Sequence, residues 1–151
     1  MDVRSLITDY LKGTQQMQLS TCLDNQPWTC TVYYAYDENL DLYWLSRPER
    51  RHSREIEANP NVSGTIVKQH TYGEKVRGIQ FVGKAKKLTG IEAVHGMKVY
   101  SGRYSTPRER VNNILAGANG EKHVVYKIIP SQYQLFDEVN FPQNPTQILQ
   151  L

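Results

Sequence analysis

The chain has 151 residues, enough for one domain with its own core, and a formal net charge of only +3. A pI near 8.8 is too mild for a protein that coats nucleic acid. A mean hydropathy of −0.58, with no long apolar run, excludes a membrane-spanning helix. The first twelve residues mix Asp2, Arg4 and Asp9 with apolar side chains, unlike a secretory signal, so the expected location is cytoplasmic.

Val3, Leu6, Ile7, Tyr10 and Leu11 recur at helical spacing ahead of Gly13, which predicts a short N-terminal helix. Met17, Leu19, Thr21 and Leu23 alternate with polar residues, as in a half-buried strand. Asp24-Asn25-Gln26-Pro27 has turn chemistry, and residues 28–36 read as a second strand. A third strand is expected over residues 40–46 after a turn at Asp37-Glu38-Asn39. Ser46-Arg47-Pro48-Glu49 fits a capping box, opening a helix that ends near Ala58 because Pro60 disfavours helical geometry at Asn59. Ile56 is its only sizeable apolar residue, so this helix is expected to lie mostly exposed.

Residues 62–67 and 76–88 are predicted as strands four and five. Gly78 and Gly83 within the latter mark a bulge, a bend or the close approach of a ligand. Ile91, Val94, Met97 and Tyr100 make a helical stripe, and Thr106-Pro107-Arg108-Glu109 is a second capping box for a helix that stops at Gly117. Residues 124–129 form strand six, and 133–136 extend it or make a seventh. The tail, with Pro142 and Pro145, reads as irregular. The expected fold class is α+β, mostly β: six to seven antiparallel strands in a small barrel with short flanking helices, one domain over 1–151 with its core in 15–137.

The charge is concentrated in one place. Residues 47–54 hold Arg47, Arg50, Arg51, His52 and Arg54 against Glu49 alone. Cations at a helix N-terminus oppose the macrodipole, and Arg47/Arg51 and Arg50/Arg54 repel at i,i+4. An anion would relieve both penalties, and unpaired N–H groups beside guanidinium groups make a phosphate site. The plainer reading is a solvated face, with Glu55 paired to Arg51 and Glu57 to Arg54.

Cys22 and Cys30 have no metal-ligand spacing. They flank the first turn, could face each other across it, and are expected as free thiols. His70, His95 and His123 show no spacing with carboxylates that suggests a metal site or a triad, so no metal is expected. Tyr33, Tyr34, Tyr36 and Tyr43 suit strands and dimer interfaces, a commoner use than nucleic-acid stacking.

A Tyr/Val-rich strand after a turn ending in proline, a strand ending in Ser46, a basic helix start, Asn59-Pro60 and a valine-bearing strand together resemble the pyridoxamine phosphate oxidase-like FMN-binding split barrels. The run Val76-Arg77-Gly78-Ile79-Gln80-Phe81-Val82-Gly83-Lys84-Ala85 resembles that family's Gly-Lys-Ala strand. The resemblance covers residues 15–90 and lies nearest a bacterial subgroup without an established substrate. It implies an antiparallel split barrel, a homodimer with FMN at the interface, and flavin-dependent oxidoreduction of a small molecule. It places the FMN phosphate against Ser46, Arg50, Arg51 and His52, runs Cys30, Thr31 and Val32 along the flavin ring, and brings Gly78 and Gln80 to the ring's polar edge. Two residues depart from the oxidase itself: Cys30 stands where it has an arginine, and His52 where it has a lysine. No charged residue occurs in 141–151, where the oxidase carries a substrate-binding arginine and histidine, so oxidation of pyridoxamine phosphate itself is not expected. No catalytic acid or base stands out. The alternatives are a non-catalytic barrel holding haem or another flavin-like ligand, and a nucleic-acid-binding barrel.

Overall fold

The computed structural model describes residues 2–118, 120 and 122–151. Helix α1 (Val3–Lys12) starts at Asp2, whose carboxylate accepts from the Ser5 N–H, and buries Leu6, Ile7, Tyr10 and Leu11. Strands β1 (Gln16–Leu23) and β2 (Gln26–Tyr33) form a hairpin across Asp24 and Asn25. Both turn residues have positive φ, 50° and 60°, the hand that matches strand twist. In this register Cys30 opposes Leu19 and Cys22 opposes Pro27, so the two cysteines do not face each other and both are free thiols.

The expected second strand breaks at Tyr34, leaving a two-residue β3 (Ala35–Tyr36). β4 (Leu42–Ser46) starts later than expected because Leu40, at φ 68°, still belongs to the turn. Helix α2 (Arg51–Ala58) precedes β5 (Asn61–Val67) and β6 (Arg77–Lys87). Helices α3 (Gly90–Tyr104) and α4 (Arg108–Ala116) follow. The last expected strands are one fourteen-residue strand, β7 (Val124–Asp137), and the tail is not irregular: β8 (Thr146–Gln150) pairs with β7. β7 carries Pro130 without breaking because the proline sits opposite Gly83, where the β6–β7 register shifts. A Cβ at Gly83 would lie 2.4 Å from the Ile129 carbonyl oxygen, so the bulge requires glycine.

The strand order β2-β1-β5-β6-β7-β4-β3 makes a split barrel. β2 and β3 are its two edges, yet only Tyr34 separates them in sequence, so the sheet must curl until its ends meet. Inside, Trp44 stacks on Tyr126 with centroids 5.1 Å apart, among Met17, Leu19, Ile66, Ile79, Phe81 and Leu135. Outside, two rows cross the sheet in register: Thr29, Ser20, Ser63, Val82, Gln132, Gln150, and Thr31, Gln18, Thr65, Gln80, Gln134, Ile148. None of these side chains is charged.

Two helix expectations fail in detail. α3 packs through Met97, while Ile91 and Val94 of the expected stripe are exposed; Gly96 is the close contact, where a Cβ would meet Leu88, Val125 and Tyr43 at 2.9–3.0 Å. α4 starts from Pro107 rather than Thr106 and has no side-chain cap, though it stops at Gly117 in the left-handed conformation as expected.

Candidate functional site

Ser46 ends β4 on the core side of the strand and is 5% exposed. A tight turn follows, with the Arg50 N–H donating to the Arg47 carbonyl at 3.1 Å, and α2 begins from Arg50. This extra turn displaces Ser46 from the N-cap position, so the expected capping box does not form. Glu49 pairs with Arg47 at 3.3 Å instead. The Ser46 hydroxyl meets His52 Nε2 at 2.7 Å and accepts from the Ser53 hydroxyl at 3.1 Å. Strand end and helix start are thereby tied by three side chains. Burial and the Arg50 charge press the His52 pKa below its ordinary value, against a smaller opposing pull from Glu55.

α2 is also less exposed than expected, since His52, Ser53, Glu55 and Ile56 form a buried face. One hydrophobic residue suffices because polar contacts hold the rest. Arg51 Nε donates to Glu55 Oε1 at 2.7 Å, the guanidinium lies 4.3 Å over the Trp28 ring, and the Thr21 hydroxyl donates to Glu55 Oε2. Arg51 and Thr21 hold the Glu55 carboxyl below the usual carboxylate range. The expected Arg54–Glu57 pair does not form: Arg50 and Arg54 have no ion pair among the described residues. Those two charges therefore stay uncompensated at the start of a helix, the setting in which an anion is most stabilising.

On β2, alternation separates the three ring-side residues. Cys30 and Val32 turn inward and pack on the core, and only Thr31 faces out. Burial, with Glu55 nearby, pushes the Cys30 thiol up to about 11, so it stays protonated at neutral pH. Contacts from 30 and 32 to anything outside the sheet must therefore be through backbone. On its free side β2 pairs with no strand among the described residues.

Gln80 faces outward between buried Ile79 and Phe81, its side chain accepting from Gln134. It shares a row with Thr31 three strand spacings away, roughly 14 Å. Gly78 lies on the same face, and a Cβ there would meet nothing closer than Val67 at 3.7 Å, so the chain itself does not require glycine at 78. Ser46 pairs with Val124 and Gln80 with Gln134, toward opposite ends of β7. One chain therefore does not bring Gly78 and Gln80 to the Ser46 cluster.

Sequence reasoning missed a groove against α3 and α4. It encloses about 690 Å³ between Leu45, Tyr100, Arg110, Asn113, Ile114 and His123. A cleft of about 390 Å³ continues past Pro107 to Tyr33 and Tyr104. Its residues come from four separate elements at no fixed spacing, so no local signal could have joined them.

Residues 5–135 match the family described as pyridoxamine 5'-phosphate oxidase. The chain belongs to this family. Among its relatives, the UPF0306 protein PM1958 of Pasteurella multocida (strain Pm70) is 26% identical over 100 residues, spanning 66% of this chain and 67% of that one. Rv2991, a conserved protein of Mycobacterium tuberculosis, shares the fold with a TM-score of 0.74 over 94% of this chain and 89% of its own, at 20% identity. A haem storage protein of Vibrio cholerae, HutZ, superposes with a TM-score of 0.67 at 18% identity, covering 91% and 95% of the two chains. An FAD-binding protein of Mesorhizobium loti does so with 0.62 at 23%, covering 87% and 90%. At these identities the likeness is one of fold. No helix among the described residues is long and apolar enough to cross a membrane.

Proposed function

We propose that the protein is a homodimeric flavoprotein that binds FMN between two split barrels and oxidises or reduces a small molecule. The observation that carries this reading is the start of α2 in a member of the oxidase family. His52 meets Ser46 there, Arg50 and Arg51 flank it at the helix start, and the charges of Arg50 and Arg54 are left uncompensated by carboxylates. That chemistry fits a phosphate monoester better than a neutral ligand. The ring would lie along the backbone of 30–32. The uncharged outer rows support a two-fold partner on this face, because desolvating Ser, Thr, Gln, Val and Ile costs far less than desolvating lysine or glutamate. Such a partner would carry its own Gly78 and Gln80 toward the cofactor, which one chain alone does not do. It also gives the bare face of Gly78 a purpose, since a missing side chain allows close approach.

In this reading each residue has a limited task. Arg50 and Arg51 neutralise the phosphate, Ser46 donates to its oxygens while accepting from His52 Nε2, and β2 presents backbone groups to the ring edge. When bound, FMN supplies the hydride acceptor and donor. The groove at Tyr33, Tyr100 and Arg110 opens beside the outward face of β2 and offers the substrate an approach. An absorption spectrum of the purified protein, followed by FMN titration, tests the proposal. Flavin bands, or quenching of flavin fluorescence with a thermal upshift, are expected. Colourless protein that FMN neither stabilises nor is quenched by would overturn it.

Haem is the second reading, favoured by the likeness to HutZ. It needs an axial ligand. Here His52 Nε2 is turned to Ser46 and His70 Nε2 to the Arg77 carbonyl at 2.8 Å. A Soret band on haem titration that disappears in a histidine variant would establish it.

A further inference from the structure

The buried carboxylate of Glu55 is the group within the anion cluster that the flavin reading does not use. Its side chain is only 7% exposed, yet it lies one helical turn from a proposed phosphate site. Both oxygens are committed, one to Arg51 Nε at 2.7 Å and the other to the Thr21 hydroxyl of β1. The Arg51 side chain, by contrast, is 44% exposed. A long exposed arginine normally samples many rotamers, and ordering it on ligand binding carries an entropic penalty. Here the guanidinium is held from two directions, by the carboxylate at Nε and by the Trp28 indole, whose ring centroid lies 4.3 Å from Cζ. The Nη groups make no hydrogen bond among the described residues. A guanidinium fork that has given up only Nε retains its two-pronged edge, the edge that matches two oxygens of a phosphate.

We infer that Glu55 is a positioning residue, one that fixes Arg51 over Trp28 so that its Nη edge is pre-ordered for the phosphate of the flavin. The inference rests on the FMN reading and extends it. Glu55 touches no ligand in this scheme, and its negative charge would by itself weaken an anion site. Its contribution is therefore geometric, and it is confined to the phosphate end.

Comparison of FMN with riboflavin separates this from simple anchoring of α2. The two ligands share the ring and ribityl chain and differ by the phosphate. Dissociation constants for both are measured by flavin fluorescence on wild type, Glu55→Gln and Glu55→Ala, with melting temperatures alongside. In Glu55→Ala the preference for FMN over riboflavin should fall about tenfold, the loss expected of one charge-assisted contact, with riboflavin binding unchanged. Glu55→Gln can still accept from Arg51 and donate to Thr21, so it should retain most of the preference. Trp28→Ala, which removes the other clamp, should lose preference in the same direction. If Glu55→Ala weakens both flavins equally, or raises the FMN preference by removing a repelling charge, the inference is overturned. Wild-type protein that binds neither flavin overturns the FMN reading itself. Wild type that prefers FMN, with the preference intact in Glu55→Ala, overturns this inference alone.

Discussion

The Ser46 hydroxyl and the His52 imidazole meet at 2.7 Å, joining the last residue of β4 to the first turn of α2. The pair is pre-assembled without a ligand, which argues for a rigid donor set. Ser46→Ala and His52→Ala should each weaken FMN binding about tenfold, as loss of a hydrogen bond to a charged group does. Because each side chain holds the other, the double variant should lose less than the product of the two. A double-mutant cycle by fluorescence titration reads that coupling directly.

Protonation of His52 makes apo stability depend on pH. Burial favours the neutral ring, so its folded pKa lies below the ordinary value of 6.5. As pH falls the unfolded chain takes up this proton first. Stability should therefore decline from about pH 7 downward and level off once the folded ring also titrates. Thermal melts across that window should show a shallower slope for His52→Gln than for wild type. Saturating FMN should reduce the wild-type slope too, since a phosphate beside the ring favours its charged form.

Gly83 and Gly78 sit five residues apart on β6 and should respond oppositely. A methyl at 83 would collide with the Ile129 carbonyl oxygen at 2.4 Å and the Pro130 Cα at 2.7 Å, both backbone atoms of β7 that cannot yield. Gly83→Ala should destabilise the fold by about 2–3 kcal/mol in urea titrations. Gly78→Ala meets nothing within 3.7 Å and should leave stability within about 0.5 kcal/mol. Any loss of flavin binding in that variant would then be local.

The two uncharged outer rows predict assembly. Gln18 and Gln80 lie in one of them, so Gln18→Lys with Gln80→Lys would set like charges against a two-fold partner. Sedimentation equilibrium should show a dimer for wild type and a monomer for the variant, with flavin affinity falling in parallel. A monomeric wild type would refute the proposed interface.

Arg103 fastens α3 to the end of α1. Its guanidinium donates to the Leu11 and Thr14 carbonyls and is surrounded by the rings of Tyr34, Tyr36 and Tyr104 at 5.0–5.9 Å. Lysine has neither the fork nor the flat face to replace it. Arg103→Lys should cost about 1–3 kcal/mol in chemical unfolding, without moving flavin affinity.

Much of this architecture was legible from residue pattern. Alternation marks β1, the expected strands at 62–67 and 76–88 match β5 and β6, and Gly83 marks a bulge. The basic helix start was visible because its charges violate a local rule. What stayed hidden was the polar half of the site. Glu55 reads as a surface partner for Arg51 in sequence, and nothing local shows that Thr21 and Trp28 lie against the same helix. The stripe of α3 misled because its closest contact is made by Gly96, a residue with no side chain to count. The capping boxes at Ser46 and Thr106 misled because each motif sits one turn or one residue too early. Ser46 is not a cap but one partner of His52.

The seam between β2 and β3 has a consequence for synthesis. β4 pairs at once with the two-residue β3, but its other neighbour is β7: Leu42 lies opposite Ile128, 86 positions later. The β1–β2 and β5–β6 pairs can close as soon as their residues leave the ribosome, while Trp44 must wait for Tyr126 before it can stack. During that interval the nascent chain carries a short apolar strand whose long edge is unpaired, the kind of segment on which chaperones act. Slowing translation between α2 and β7 should thus raise aggregation of this chain more than slowing it anywhere earlier.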